Sequence, residues 1–458
     1  MEQANSPRQD MTAGPIWQKL LLFFFPTWFG AVFQQLYNTA DAVIVGRFVG
    51  TGALAAVGVG GTLVMFIGGV VAGIASGATV VVAQRTGAGR PQEVRRAVGA
   101  AALASLLLGA VLSAAGILAV PAVLRAMDTP ADVFAESVLY MRVYLAGMVP
   151  MLFYNVGTGI LRAVGDSRRP LYFLAAASVL NILLDLLFVA ALGLGVLGAA
   201  LATLLSQAAS ALLVLRRLAG PQAESEPYCL QRQGLRLDPP ALAAMARIGM
   251  PAAVQAMLYD ISNILVQVYI NGFGTTAMAA WAVFGKLDSL FWMTVQSLGL
   301  AVTTFAGQNF GARRYDRMRS GVRQACGIGL GFAACIVALM LGLGRPLYGC
   351  FTADAEVVEL GMVISRFVMP WYISFVGIEV LSATMRGAGD TLMPTLITVF
   401  GVCAVRVGWL FWAAPAYGSI QAGLACFPVS WCITLLLYLG YYLPGGWLRR
   451  RVAAQREE

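Results

Sequence analysis

Five carboxylates stand where this chain has least use for them. Asp41, Asp185, Asp260, Asp288 and Glu379 lie deep in long apolar stretches, unlike the rest of the 22 acidic residues. Each costs about 2.5–3.5 kcal/mol to insert into hydrocarbon, so each is a functional candidate whose partner must be found. Asp41 and Asp185 have no basic residue at comparable depth, because Arg47, Arg125 and Arg142 sit at outer segment ends. Two such carboxylates in low dielectric cannot both stay ionised. A proton or a metal cation must sit with them.

Asn181 lies one helical turn before Asp185 on the same face, and Thr203 lies in the next apolar segment. At 1.5 Å per residue, Asp41, Asn181, Asp185 and Thr203 all fall roughly 9–17 Å in from the outer ends. Two carboxylates, an amide and a hydroxyl are hard oxygen ligands suited to H⁺ or Na⁺. The four are the candidate coupling-ion site, with Na⁺ as the metal they would accept. The bland alternative is that Asn181 and Thr203 only bond across helices. Elsewhere, Lys286 and Arg406 share the membrane zone of Asp260, Asp288 and Glu379, so ion pairing is expected to meet most of that charge. Gln34, Tyr37, Asn38, Tyr140 and Gln255 are secondary polar candidates, and Met257, Trp281, Trp292 and Met293 could line an adaptable pocket. Pro26 shares a segment with Asp41, so a bend there could couple ion binding to cavity shape, although a static kink explains it equally well.

The elements that must position these residues are membrane spans. The chain is 59% hydrophobic with mean hydropathy +0.76 and only 12% charged residues. Twelve apolar segments are long enough to cross a bilayer, at about 20–46, 53–83, 98–124, 138–161, 171–192, 195–218, 242–270, 276–306, 322–345, 360–383, 394–413 and 418–443. The first leads straight into an acid-bearing stretch without a small-residue cleavage site, so no cleaved leader is expected. Of the 31 basic residues, 29 are Arg, and most fall on one membrane face if both ends are cytoplasmic. The net charge of +9 therefore reports topology and contact with anionic lipid heads, not a nucleic-acid partner.

The chain is also written twice. Ala83 to Ala88 (Ala-Gln-Arg-Thr-Gly-Ala) returns as Gly307 to Ala312 (Gly-Gln-Asn-Phe-Gly-Ala), and Arg162, Gly165, Asp166 and Pro170 return as Arg386, Gly389, Asp390 and Pro394, all 224 residues on. Leu36-Tyr37 returns as Leu258-Tyr259 at an offset of 222. Such constancy marks a duplicated unit, and paired repeats in a membrane chain usually frame a transport pathway. The expected division is an N-lobe over 1–218, a cytoplasmic linker rich in Pro and charge over 219–240, and a C-lobe over 241–458. Six spans per repeat make this a parallel duplication. The Gly-Asp turns read first as helix-ending caps, with inter-lobe gating as the alternative.

Absences narrow the chemistry. The sequence has no histidine, seven scattered cysteines without a Cys-x-x-Cys pair, no phosphate-binding Gly-rich loop and no hydrolytic motif. An enzyme and a cofactor are not expected. The driving energy should come from an ion gradient or a partner.

The residues resemble the multidrug and toxic compound extrusion (MATE) family over essentially the whole length. The match is carried by the two repeats, by Leu36-Tyr37-Asn38-Thr39-Ala40-Asp41 leading to Val45-Gly46-Arg47-Phe48-Val49-Gly50, by the doubled Arg-x-x-Gly-Asp turn, and by Asn181, Asp185 and Thr203. The resemblance implies an all-α membrane protein of twelve spans in two six-helix bundles set in a V, exporting compounds by cation-coupled alternating access. It is nearest to the bacterial branch named after a DNA-damage-inducible protein, whose N-lobe acidic cluster carries the coupling ion, here Asp41, Asn181, Asp185 and Thr203. Another bacterial branch couples Na⁺ through a glutamate in the seventh span, where this chain has Gln255, so that mechanism does not carry over directly; Asp260, Asp288 or Glu379 would have to substitute.

The expectation is a monomeric antiporter of the bacterial inner membrane, exporting amphipathic and cationic small organic molecules in exchange for H⁺ or Na⁺. The alternative is a flippase for a lipid-linked precursor, which would need a strongly cationic cavity that Lys286 and Arg406 alone supply poorly.

Overall fold

The computed structural model describes residues 9–224, 226–231 and 234–457, without the side chains at 51–57, 59, 62, 222, 456 and 457. Arg8 and Arg232, both counted above among the basic residues, lie outside the described residues. Every regular element described is helical. Eleven helices are long and apolar enough to cross a membrane, and a bent pair supplies the twelfth.

Spans 1 to 6 run Ile16–Phe48, Thr51–Gly87, Pro91–Ala126, the pair Ala131–Ala146 and Met148–Ala163, Arg168–Ala191, and Gly195–Ala219. Spans 7 to 12 run Pro239–Asn271, Thr275–Gly311, Tyr315–Gly342, Ala355–Gly387, Leu392–Tyr417 and Ile420–Tyr442, and a terminal helix follows at Gly446–Glu457.

Proline acts differently at each site. Pro26 and Pro251 lie inside continuous helices. In span 4 the 46° bend falls at Gly147, three residues before Pro150, where the ring removes a donor from the first turn of the second half. Pro370 sits in the short 3₁₀ turn Met369–Trp371 that breaks span 10.

The duplication is visible in the backbone. Left-handed glycines recur at Gly50 and Gly274 (φ 111° and 92°) and at Gly165 and Gly389 (φ 90° and 82°). In the first repeat the Gly-Asp turn caps span 5, with the Arg169 backbone N–H donating to Asp166 Oδ1 at 3.1 Å and Arg169 Nη1 to Oδ2 at 2.9 Å. Burial pushes the Asp166 carboxyl up, and the Arg169 contacts pull it back. In the second, Tyr441 Oη donates to Asp390 at 2.9 Å.

Contacts group the chain into two units, Met1–Asp10 with Phe25–Ala253, and Met11–Phe24 with Val254–Glu458. This differs from a division at 1–218 and 241–458, and packing supplies the reason. Within the first unit, a Cβ at Gly77 on span 2 would meet the Met245 carbonyl oxygen of span 7 at 2.2 Å, so small residues let the two backbones touch. The 219–240 segment packs there as well: Tyr228 and Cys229 are buried, and Gly99 admits the Gly234 carbonyl. Within the second unit, the Met11 N–H donates to Gln308 Oε1 at 3.0 Å, Asn309 Nδ2 donates to Met11 O at 3.1 Å, and Phe24 stacks on Phe332.

Candidate coupling-ion site

Span 1 carries Asp41 and span 5 carries Asp185 to one place in the first unit. Asp185 is fully buried and Asp41 half-buried, and their carboxyl groups lie within hydrogen-bonding reach of each other. Neither finds a donor: Asp41 Oδ1 and both Asp185 oxygens are buried without a hydrogen-bond partner among the described residues. No ion pair among the described residues involves either acid. Two acceptors that face each other repel unless a proton or a cation lies between them.

The local backbone is unusual at this point. The α-helix of span 5 ends at Asp185, and π-helical turns run from Leu186 to Ala191. Such widened turns rotate the following side chains and are often found at functional sites. Asn181, one turn earlier, is 1% exposed, and both its amide oxygen and nitrogen lack partners. Thr203 is buried on span 6, which packs along span 5. No hydrogen bond ties its hydroxyl to the acids among the described residues; its carbonyl accepts from Ser206 Oγ at 2.9 Å.

Tyrosines wall the acid pair. Tyr37 and Tyr140 stand in electrostatic reach of both carboxyls, and Tyr140 stacks on Tyr144 at 6.3 Å between ring centroids. Gln207 of span 6 lies near Tyr144, whose hydroxyl donates to Met151 Sδ at 3.8 Å, and fills the space beside Gly147, where a Cβ would meet Gln207 Oε1 at 2.8 Å. Sequence reasoning missed Tyr144 and Gln207, although Tyr144 lies one turn after Tyr140. Gln34 and Asn38 are exposed on span 1 and make no hydrogen bond with the acids among the described residues.

The second unit corrects the expectation of ion pairing. Asp288 accepts hydrogen bonds from Trp292 Nε1 at 2.6 Å and from the Tyr372 hydroxyl, so neutral aromatic donors satisfy it. Lys286 is exposed, Asp260 half-buried, and Glu379 packs over Gly299. Gln255 accepts from Thr395 at 3.2 Å. Trp281 and Trp292 belong to a packed aromatic cluster with Phe375, Phe427 and Trp431. No described ion pair joins these acids to Arg406 or Lys286.

Arg406 is wholly buried, donates Nη1–H to Asn263 Oδ1 at 2.8 Å, and lies over the Phe427 and Tyr259 rings at 4.7 and 5.3 Å. The 222 offset, carried one turn beyond Tyr37, pairs Asp41 with Asn263, and the 224 offset pairs 181–185 with 405–409, the stretch that holds Arg406. The π-helical turns recur there too, at Trp409–Ala413. The second repeat therefore has an amide at the position of Asp41 and Trp409 at that of Asp185, with a fixed guanidinium one turn earlier on the same span.

A duplicated twelve-span helical protein with buried, unpartnered polar groups inside its spans, two facing carboxyls among them, is a multi-pass membrane transporter. The family description MatE matches residues 26–187 and 251–411, and the chain belongs to that family. It is 30% identical to "Probable multidrug resistance protein YoeA" of Bacillus subtilis, over 96% of this chain and 97% of that protein. It is 26% identical to the FAD transporter of Shewanella oneidensis, over 94% of each. A solved multidrug resistance MATE family transporter of the MOP superfamily in an outward-facing conformation shares the fold, with TM-score 0.86, 23% identity and coverage of 100% of this chain and 99% of that one.

Proposed function

We propose that this protein is a cation-coupled antiporter that expels amphipathic, cationic small organic compounds across a bacterial inner membrane. The single supporting observation is the facing pair Asp41 and Asp185, which lack any donor or cation of the chain's own. A proton or a sodium ion, with Asn181 and Thr203 as further oxygen ligands, removes the repulsion between them. Entry of the ion on the outer side, and its release on the inner side, supplies the free energy for export. Ion and substrate are then linked: each changes the other's affinity by the same factor. The likeness to YoeA supports a drug substrate. The basic asymmetry supports cytoplasmic ends, and the protein acts as a monomer in contact with lipid.

The flippase alternative gains nothing from the site. Its pyrophosphate would need an open cationic cavity, whereas Arg406 is enclosed by aromatic rings and Lys286 is exposed. The test is ethidium accumulation in cells expressing Asp41→Asn. Dye should accumulate as in cells lacking the transporter; undiminished efflux rejects the site.

A further inference from the structure

The repeat relation that pairs the two halves breaks informatively at one loop. Gly89 holds the left-handed position after span 2 at φ 69°, and its repeat partner after span 8 is Arg313 at φ 57°. Glycine adopts this conformation freely and arginine does not, so the second repeat tolerates backbone strain to place a guanidinium there. The acid that offsets charge in the first loop is also moved, with Asp316 standing where the first repeat has Gln92. Glu93, which pairs with Arg90 at 3.1 Å, corresponds to Arg317.

This loop forms one wall of a cavity of about 670 Å³, and the terminal helix Gly446–Glu457 forms the other. Arg313, Arg314, Arg317, Arg319 and Arg449 line it against a single acid, Asp316. Asp316 is fully exposed and pairs loosely with Arg319 at 3.8 Å. The walls are fixed. Arg317 Nη2 donates to Gly14 O at 2.7 Å, Tyr315 donates to Gln455 Oε1 at 3.1 Å, and Trp447 is buried against Tyr442. The side chains of Arg313 and Arg449, on opposite walls, make no hydrogen bond or ion pair with any described residue. The cavity lies where spans 8 and 12 end.

We propose that this cleft binds a phosphate group, presented by the headgroup of an anionic phospholipid. Guanidinium groups on two sides suit the bidentate geometry of phosphate oxygens. Basic pockets beside span ends at the cytoplasmic surface are suited to such headgroups. The leaflet rests on the orientation proposed above; the binding itself does not. The same chemistry could be offered by a soluble phosphate compound, so the test separates the two sources.

Full-length protein in maltoside micelles is titrated with dioleoylphosphatidylglycerol, dioleoylphosphatidylcholine or sodium pyrophosphate, reading the thermal midpoint and bound lipid by native mass spectrometry. Phosphatidylglycerol should raise the midpoint and bind, and phosphatidylcholine should do neither. Arg313→Gly and Arg449→Gln should each weaken phosphatidylglycerol binding about fivefold. Arg313→Gly should also raise the midpoint in lipid-free micelles by relieving the strained backbone, which shows that its loss of binding is not misfolding. Arg96→Gln, which removes one charge near the start of span 3 in the first repeat, should bind as wild type. Equal losses in Arg96→Gln, or undiminished binding in Arg313→Gly and Arg449→Gln, overturns the site. A response to pyrophosphate alone overturns the lipid source.

Discussion

The two repeats answer the same problem, a polar group buried in a membrane bundle, with opposite charge. In the first, Asp41 and Asp185 face each other with no donor. In the second, the corresponding stretch holds Arg406, bonded to Asn263 and laid over two rings. A desolvated cation–π contact is worth about 2 kcal/mol, so the rings offset part of the cost of enclosing a guanidinium whose Nε and Nη2 find no hydrogen-bond partner among the described residues. On the proposed reading, the first site is completed by a cation from outside. The other carries its cation on the chain. Coupling falls, on this proposal, to the site whose charge must be supplied, and a structural role to the site whose charge is tethered.

The largest expected effect is at the open site. Asp185→Asn removes the need for a cation while preserving shape, and should abolish gradient-driven efflux of dye from proteoliposomes with little change in thermal midpoint. Driven efflux at the wild-type rate in that variant would break the comparison. Next, Asn181→Ala should reduce the driven rate about tenfold, since losing one well-placed ligand to a desolvated ion costs about 1.4 kcal/mol or more, read as initial rates at fixed gradient.

At the closed site the readout reverses. Arg406→Lys keeps the charge but loses the planar stacking, and should lower the thermal midpoint by several degrees while the driven efflux of the folded fraction persists. Arg406→Met, which replaces the buried ion with a flexible apolar chain, should come closer to wild-type stability, because a buried charge can often be exchanged for packed hydrophobic volume. The smallest effect is expected at Gln207→Leu, which removes the amide near Tyr144 and should shift the driven rate by less than threefold. A larger loss there would extend the ion site to the tyrosine wall.

Much of this was legible in the sequence. Twelve spans follow from hydropathy, because a bilayer imposes length and apolarity on each of them. The meeting of Asp41 and Asp185 followed from depth and from the lack of bases beside them. Other features left no sequence signal. The π-helical turns after Asp185 and at Trp409–Ala413 arise from packing, and apolar periodicity does not separate π from α turns. Equal depth suggested that Lys286 and Arg406 would neutralise Asp288 and Glu379, yet side-chain direction decides pairing. Span 8 turns Lys286 outward and Asp288 toward Trp292 and Tyr372. The unit boundaries were hidden as well, because a helix such as span 1 has no composition change where its packing partners change at Phe24 and Phe25.

The most direct test sets proton and sodium gradients separately across proteoliposomes that contain wild type, Asp185→Asn or Arg406→Met, and measures drug efflux. Wild type and Arg406→Met should respond to the same one of the two gradients, and Asp185→Asn to neither. Efflux that follows a gradient in Asp185→Asn, or that loses all response in folded Arg406→Met, would contradict a coupling site confined to the open carboxyl pair.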